Sequence, residues 1–308
     1  MKALLETVRT DDEALQELLQ RTAGNKLWEI LHSLDLNEAE VTSERADELK
    51  SKWRTERGQG WQCGPHKLIC GDCTDPTVAA WLWSDADLRV RMLFADVPYG
   101  VDYGLKTQWT NRHRKGRKRR SIENDSLKPA ELQKLFAAAL NVAREYALPG
   151  AVIYATVPSA FLKYFIQGLE NGGFSYRHGL VWVKQSFVLG RADYHYRHEQ
   201  ILYGWLDNGP HYFTDDRTQD SVFEIDRPMV SELHPTTKPL ALIAKMVANS
   251  TRPGELVYDP FAGSGSTILA AHQLGRIGYG CEIDPAFLAV ALERLSMLGL
   301  KPELVRQS

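Results

Sequence analysis

Residues 256–275 read LVYDPFAGSGSTILAAHQLG, and this run sets the fold class. A short apolar stretch ends at Asp259, a turn carries Gly263 and Gly265, and a helix-forming stretch is closed by Gly275. The segment therefore predicts strand, glycine turn and helix. Glycines let a backbone approach a ligand closely, and the helix N-terminus behind them favours an anionic group. The next apolar run ends at Glu282, 19 residues after Gly263, a separation that suits a carboxylate accepting hydrogen bonds from a ribose diol. Ile268 stands where a dinucleotide fingerprint has its third glycine, so a nicotinamide or flavin site is not indicated. A tight structural turn remains the alternative reading of the glycine pair. Asp259 at the strand end argues for a ligand, since a carboxylate there suits an ammonium group better than a phosphate.

Outward from this run, strands are predicted at 66–70, 90–96, 151–157, 180–184, 200–205, 256–259 and 277–282, with amphipathic stretches between them. Pro129, Pro239 and the pair Asp284-Pro285 mark helix starts, and Gly172 marks a helix end. The alternation predicts an α/β, Rossmann-like fold, a mostly parallel sheet with helices on both faces. Residues 1–60 are polar, with Leu15, Leu18 and Leu19 and then Leu27, Ile30 and Leu31 at helical spacing. They are expected to form a helical N-terminal appendage, with Gly58, Gln59 and Gly60 marking the boundary to a domain at 61–308.

The 308 residues are 44% hydrophobic and 25% charged, as in ordinary soluble domains, with no apolar run long enough to span a bilayer. The N-terminus lacks the apolar core of a secretory signal, which gives a cytoplasmic expectation. A formal charge of -2 gives no overall attraction to a polyanion. Locally, Lys106–Arg120 reads KTQWTNRHRKGRKRR, eight basic residues and no acid: either a solvated loop or a phosphate-binding one. Cys63, His66, Cys70 and Cys73 have knuckle-like spacing, but Cys70 falls in a predicted strand whose side chains alternate between faces. Reduced, buried thiols are the preferred reading, for these and for Cys281, and no metal is expected.

Asp96-Val97-Pro98-Tyr99 follows the run VRMLFAD, at what should be the C-terminal edge of the sheet, where open α/β folds bind ligands. Alone it is also a plain strand-ending turn. Taken with DPFAGSG, Glu282 and HPTTKP (His234–Pro239), it resembles the motif set of the amino-group DNA methyltransferases. The catalytic turn precedes the glycine loop, as in that family's beta group. IENDSL, VWVKQSFVLGRADYHYRHEQILYGW and HYFTDDRTQDSVFEIDRP are similar to phage-type and prophage-type members. The resemblance covers most of 61–308 and implies a class I methyltransferase fold in permuted order. Its catalytic half would be 61–183, its target-recognition segment 184–232 and its cofactor half 233–308.

The resemblance implies transfer of a methyl group from S-adenosylmethionine to an exocyclic base amine, with adenine N6 preferred over cytosine N4, on double-stranded DNA after base flipping. Asp96 and a carbonyl of Val97 or Pro98 would accept the amine's N–H bonds, restoring electron density on a nitrogen whose lone pair is delocalised, and Tyr99 would stack on the base. The family's motif has proline where Val97 stands, which keeps the carbonyl but loosens the turn and puts the rate in question. Asp72, Lys238, Asp259, Phe261, Gly263, Ser264, Gly265 and Glu282 are the expected cofactor residues. Lys106, Arg112, Arg114, Lys115, Arg117, Lys118, Arg119 and Arg120, with Arg191, His195, Arg197 and Arg217, are the expected DNA-contacting residues. Three rivals stay open: cytosine N4 methylation, an RNA or protein amino methyltransferase, and a degenerate DNA-binding protein. Homodimerisation and a partner endonuclease are not decided by the sequence.

Overall fold

The computed structural model describes residues 36–37, 39, 41, 45–84, 88–100, 126–187, 193–226 and 238–307. Among the described residues ten strands form one sheet: β1 Gly60–Cys63, β2 His66–Cys70, β3 Val90–Asp96, β4 Ala147–Val157, β5 Ser175–Val183, β6 His198–Trp205, β7 Val222–Glu224, β8 Leu256–Asp259, β9 Ile277–Glu282 and β10 Pro302–Arg306. Their spatial order is β10-β1-β2-β9-β8-β3-β4-β6-β5-β7. The five central strands, from β2 to β4, are parallel, in keeping with their mainly apolar sequences. The pairs β10·β1, β1·β2, β4·β6 and β6·β5 are antiparallel.

Helices cover both faces. On one lie α5 (Leu240–Ser250), α6 (Ser266–Gln273) and α7 (Pro285–Met297), around Ile243, Leu269 and Leu292. On the other lie α2 (Pro76–Leu82), α3 (Pro129–Arg144) and α4 (Leu162–Asn171), around Leu82, Phe136 and Phe165. Caps set where they begin: Asp75 accepts from the Thr77 amide and Asp284 from the Ala286 amide, each just before a proline. A further helix, α1 (Ala46–Trp53), packs through Ala46 and Leu49 onto Ala286, Ala289 and Val290 of α7, and Glu293 accepts from Lys52 and the Trp53 indole.

Strand order reverses between β3 and β8. The chain runs from β3 outward to β4 and from β8 the other way to β9, so the crevice at the C-terminal ends of β3 and β8 is the topological switch point. Leu93 pairs with Tyr258, which sets the Asp96 turn beside the Asp259 turn although the two are far apart in sequence.

Three strands were not predicted. β7 and β10 are short and mostly exposed, and carry little pattern. Gly60, a break by its sequence, opens β1, and a side chain there would strike the Trp81 ring 2.5 Å away. β4 begins at Ala147, before the predicted 151: Ala147 pairs with Val90, and after an irregularity that passes over Pro149-Gly150 the ladder resumes at Met92 and Val152. The His66 ring accepts from the Gly278 amide and meets His272 at 3.1 Å. Burial pushes the Cys63 and Cys70 thiols up to about 12. No helix among the described residues is long and apolar enough to cross a membrane.

Candidate functional site

Asp96 closes β3, and Thr156, its register partner on β4, donates from Oγ1 to Asp96 Oδ1 at 2.5 Å. Lys238 Nζ donates to the same oxygen at 2.6 Å. Burial pushes the Asp96 carboxyl up from its ordinary range, while Lys238 and Thr156 pull it back toward the ionised form. The Lys238 side chain is 3% exposed and its ammonium also lies 3.3 Å from Glu199 Oε2. Glu199 accepts from the Tyr99 hydroxyl at 2.8 Å and pairs with Lys184. Burial opposes the Glu199 charge, but Lys238, Lys184 and Tyr99 together outweigh it and hold the carboxyl at about 2.

Among the described residues, two cations and two carboxylates thus form one cluster, drawn from the ends of β3 and β5, the start of β6 and the segment entering α5. Lys238 also sits 5.1 Å from the centre of the Tyr99 ring. Val97 is 1% exposed, in the apolar layer that includes Leu132 and Phe136, so valine anchors the turn from below. Gly100 follows with φ +65°, and a side chain there would meet the Leu127 carbonyl at 2.6 Å.

The glycine loop faces the same crevice. Asp259 is 2% exposed and is committed to the loop itself: it accepts from the Phe261 amide at 2.9 Å and from the Thr267 hydroxyl. Glu282 accepts from the Gly263 amide at 2.7 Å and the Asp284 amide at 2.8 Å. Desolvation raises both carboxyls to about 7. Gly263 has φ +52° and its nearest outside atom is 3.9 Å from where a Cβ would stand, so space for a ligand lies against its backbone. Gly265, φ +79°, has no such space, because a Cβ there would meet Ala291 at 2.8 Å. Asp72 is exposed in the turn after β2, where it accepts from the Thr74 amide and hydroxyl. The adjoining Gly71 amide bonds the Glu282 carbonyl.

The structure therefore brings Asp96, Val97, Pro98, Tyr99 and Lys238 to one side of the switch point and Asp72, Asp259, Phe261, Gly263, Ser264, Gly265 and Glu282 to the other. Lys238, expected beside the cofactor, bonds Asp96. His195 and Arg197 are exposed on the β5–β6 connection, which starts and ends at the Lys184–Glu199 pair; its exposed Phe187 stacks on His195. Arg217 lies elsewhere. It lines a cavity of about 590 Å³ with Arg177, His178, Trp205, His211 and Phe213, at the end of β6 away from Asp96. The basic residues Lys106, Arg112, Arg114, Lys115, Arg117, Lys118, Arg119 and Arg120, as well as Arg191 and His234–Thr237, lie outside the described residues.

Four site residues escaped the sequence reading. Thr156, Lys184 and Glu199 sit in strand-like runs without a local signature. Arg294, fully buried in α7, places Nη1 at 2.8 Å from the Ser264 carbonyl, 3.0 Å from Ser264 Oγ and 2.9 Å from Ser266 Oγ.

Residues 90–293 match the model of a family described as DNA methylase (N6_N4_Mtase). The chain is 32% identical over 103 residues to the DNA adenine methyltransferase YhdJ of Escherichia coli K12, covering 32% of this chain and 35% of that protein. It is 42% identical over 62 residues to the type II methyltransferase M.HpaI of Haemophilus parainfluenzae, covering 20% of each. The matched part thus spans about a third and a fifth of these curated relatives. Among solved structures, PvuII DNA methyltransferase (cytosine-N4-specific) superposes with a TM-score of 0.57 at 14% identity, over 78% of this chain and 89% of that one.

Proposed function

Because the chain belongs to the N6_N4_Mtase family of DNA methylases, we propose that it methylates an exocyclic amine of a base in double-stranded DNA, with adenine N6 as the preferred target. The carrying observation is the juxtaposition at the switch point: a carboxylate fixed through one oxygen stands beside a glycine loop with open space against Gly263. S-adenosylmethionine, when bound, supplies a sulfonium-bound methyl group. The residues present suit it: Gly263 admits a close approach, Phe261 offers an apolar ring, and Glu282 and Asp72 offer acceptors for hydroxyl or amino donors. Asp259 shapes the loop through the Phe261 amide and Thr267.

On the other side of the crevice, Asp96 accepts an amine N–H and thereby orients the nitrogen lone pair, and a carbonyl of Val97 or Pro98 takes the second N–H. Tyr99 stacks on the extruded base and offsets part of its unstacking. The connection carrying His195 and Arg197, together with the basic run 106–120, supplies contacts to DNA. The preference for adenine rests on aspartate at the head of the turn.

The experiment is transfer of labelled methyl groups to double-stranded genomic DNA, to RNA and to protein, followed by base-resolved detection of modified bases. N6-methyladenine supports the proposal. N4-methylcytosine corrects the base, label on RNA or protein overturns the substrate, and cofactor binding without transfer indicates a degenerate enzyme.

A pH dependence follows from Glu282. Its carboxyl is raised to about 7 in the free protein, whereas hydroxyl donors prefer the ionised form, so binding of the cofactor draws a proton off. Affinity should therefore rise with pH through this range and fall by up to about tenfold per unit below it. Calorimetry in buffers of different ionisation enthalpy should show proton release on binding, and a Glu282→Gln variant should lose it. Equal affinity at pH 6 and pH 8 would count against a cofactor-facing Glu282.

A further inference from the structure

The geometry points to Glu199, acting through Lys238 and Tyr99, as the residue that positions the Asp96 carboxylate and the stacking ring together. This inference rests on the reading of Asp96 as the acceptor of the substrate amine. Both donors on Asp96, Thr156 Oγ1 and Lys238 Nζ, converge on Oδ1. Among the described residues Oδ2 has no donor. The Asp96 side chain is 27% exposed, against 3% for Lys238 and 15% for Glu199, so it is the member of the cluster that reaches the crevice. Pinning one oxygen turns a freely rotating carboxylate into a fixed acceptor, with Oδ2 presented to an incoming N–H.

Glu199 governs both partners of the base. Its Oε2 receives the Tyr99 hydroxyl and lies 3.3 Å from the Lys238 ammonium, while Lys184 balances Oε1. Among the described residues, Lys238 thus pairs with two carboxylates, Asp96 and Glu199. Were it paired with Asp96 alone, it would draw electron density from the acceptor and weaken it; were it absent, burial would favour protonated Asp96, which accepts poorly. Among the described residues, the charged and titratable groups around Asp96 are Lys238 from the segment entering α5, Glu199 from β6, Tyr99 from its own turn and Asp259 across on β8, with Lys184 behind Glu199. Lys238 lowers the Asp96 carboxyl and Glu199 raises it.

The two residues therefore have opposite signatures, which general loss of structure would not produce. Infrared difference titration of the carboxyl band, assigned with Asp96→Asn, reads the Asp96 midpoint in the full chain without any need for turnover. Lys238→Met should move the midpoint up by about one unit or more, and Glu199→Gln should move it down. In methyl-transfer assays the acid limb of kcat should move with each midpoint, while KM for S-adenosylmethionine stays within about threefold. Midpoints that coincide with wild type, or that move in the same direction, overturn the relay. Glu199→Gln keeps the side-chain shape and decides the matter alone if Lys238→Met does not fold: a downward shift supports the relay and an unchanged midpoint overturns it. A wild-type protein that transfers no methyl group to DNA refutes the proposed function instead, and the infrared midpoints still decide whether the relay exists.

Discussion

Asp96→Asn is expected to lower kcat for methyl transfer to DNA by about a hundred- to a thousandfold, as for loss of one preorganised group that acts on charge developing in the transition state. The change keeps the size of the side chain and an oxygen that Thr156 and Lys238 can still reach, so the turn should persist. What is lost, on the proposed reading, is the negative charge facing the amine nitrogen as it becomes positive. Affinity for S-adenosylmethionine should stay within a few fold of wild type, because the loop at Gly263 is held from other directions, by Glu282, Asp259 and Arg294. Single-turnover kinetics with calorimetric binding separate the two effects. A variant that binds the cofactor normally and retains more than about a tenth of the wild-type rate would remove Asp96 from the chemistry.

The sequence disclosed the parallel centre of the sheet because buried strands write themselves as short, mainly apolar runs, three of them here ended by an acid. His66–Cys70, Val90–Asp96, Leu256–Asp259 and Ile277–Glu282 were predicted with the ends they have. The edges were less legible. β10 exposes most of its residues and β7 has three, so neither carries an alternation to detect. The motif residues lie where a switch-point argument puts them, since the sheet itself makes Asp96 and Asp259 neighbours. Their partners were harder to see. Lys238 reaches Asp96 across 142 positions and Tyr99 reaches Glu199 across 100, and no local spacing encodes either contact. Asp259 shows the complementary problem: a strand-end carboxylate reads as a ligand group, whereas here both of its oxygens hold the loop that would carry the ligand.

The second large effect is expected from a residue buried behind the glycine loop. Arg294→Met should lower the melting temperature by about 5–15 °C, taking roughly 2–4 °C per kcal/mol for a chain near this size, and should weaken S-adenosylmethionine binding by at least about tenfold. Arg294 is fully buried in α7, and a single nitrogen gathers the Ser264 carbonyl, the Ser264 hydroxyl and the Ser266 hydroxyl. Methionine fills much of the space but donates nothing, which leaves buried acceptors unsatisfied at about 1–3 kcal/mol for each group that water cannot reach. Gly263 and Gly265 both hold positive φ, a conformation open to many alternatives once the cross-brace is gone. The loop must then be ordered when the cofactor binds, and that entropy is subtracted from the affinity. Arg294→Lys should fall between wild type and methionine, since one ammonium keeps the charge without the planar fork. A methionine variant with unchanged melting temperature but weakened binding would mean the brace serves only the ligand. Unchanged values of both would show that the glycine loop holds its shape without Arg294.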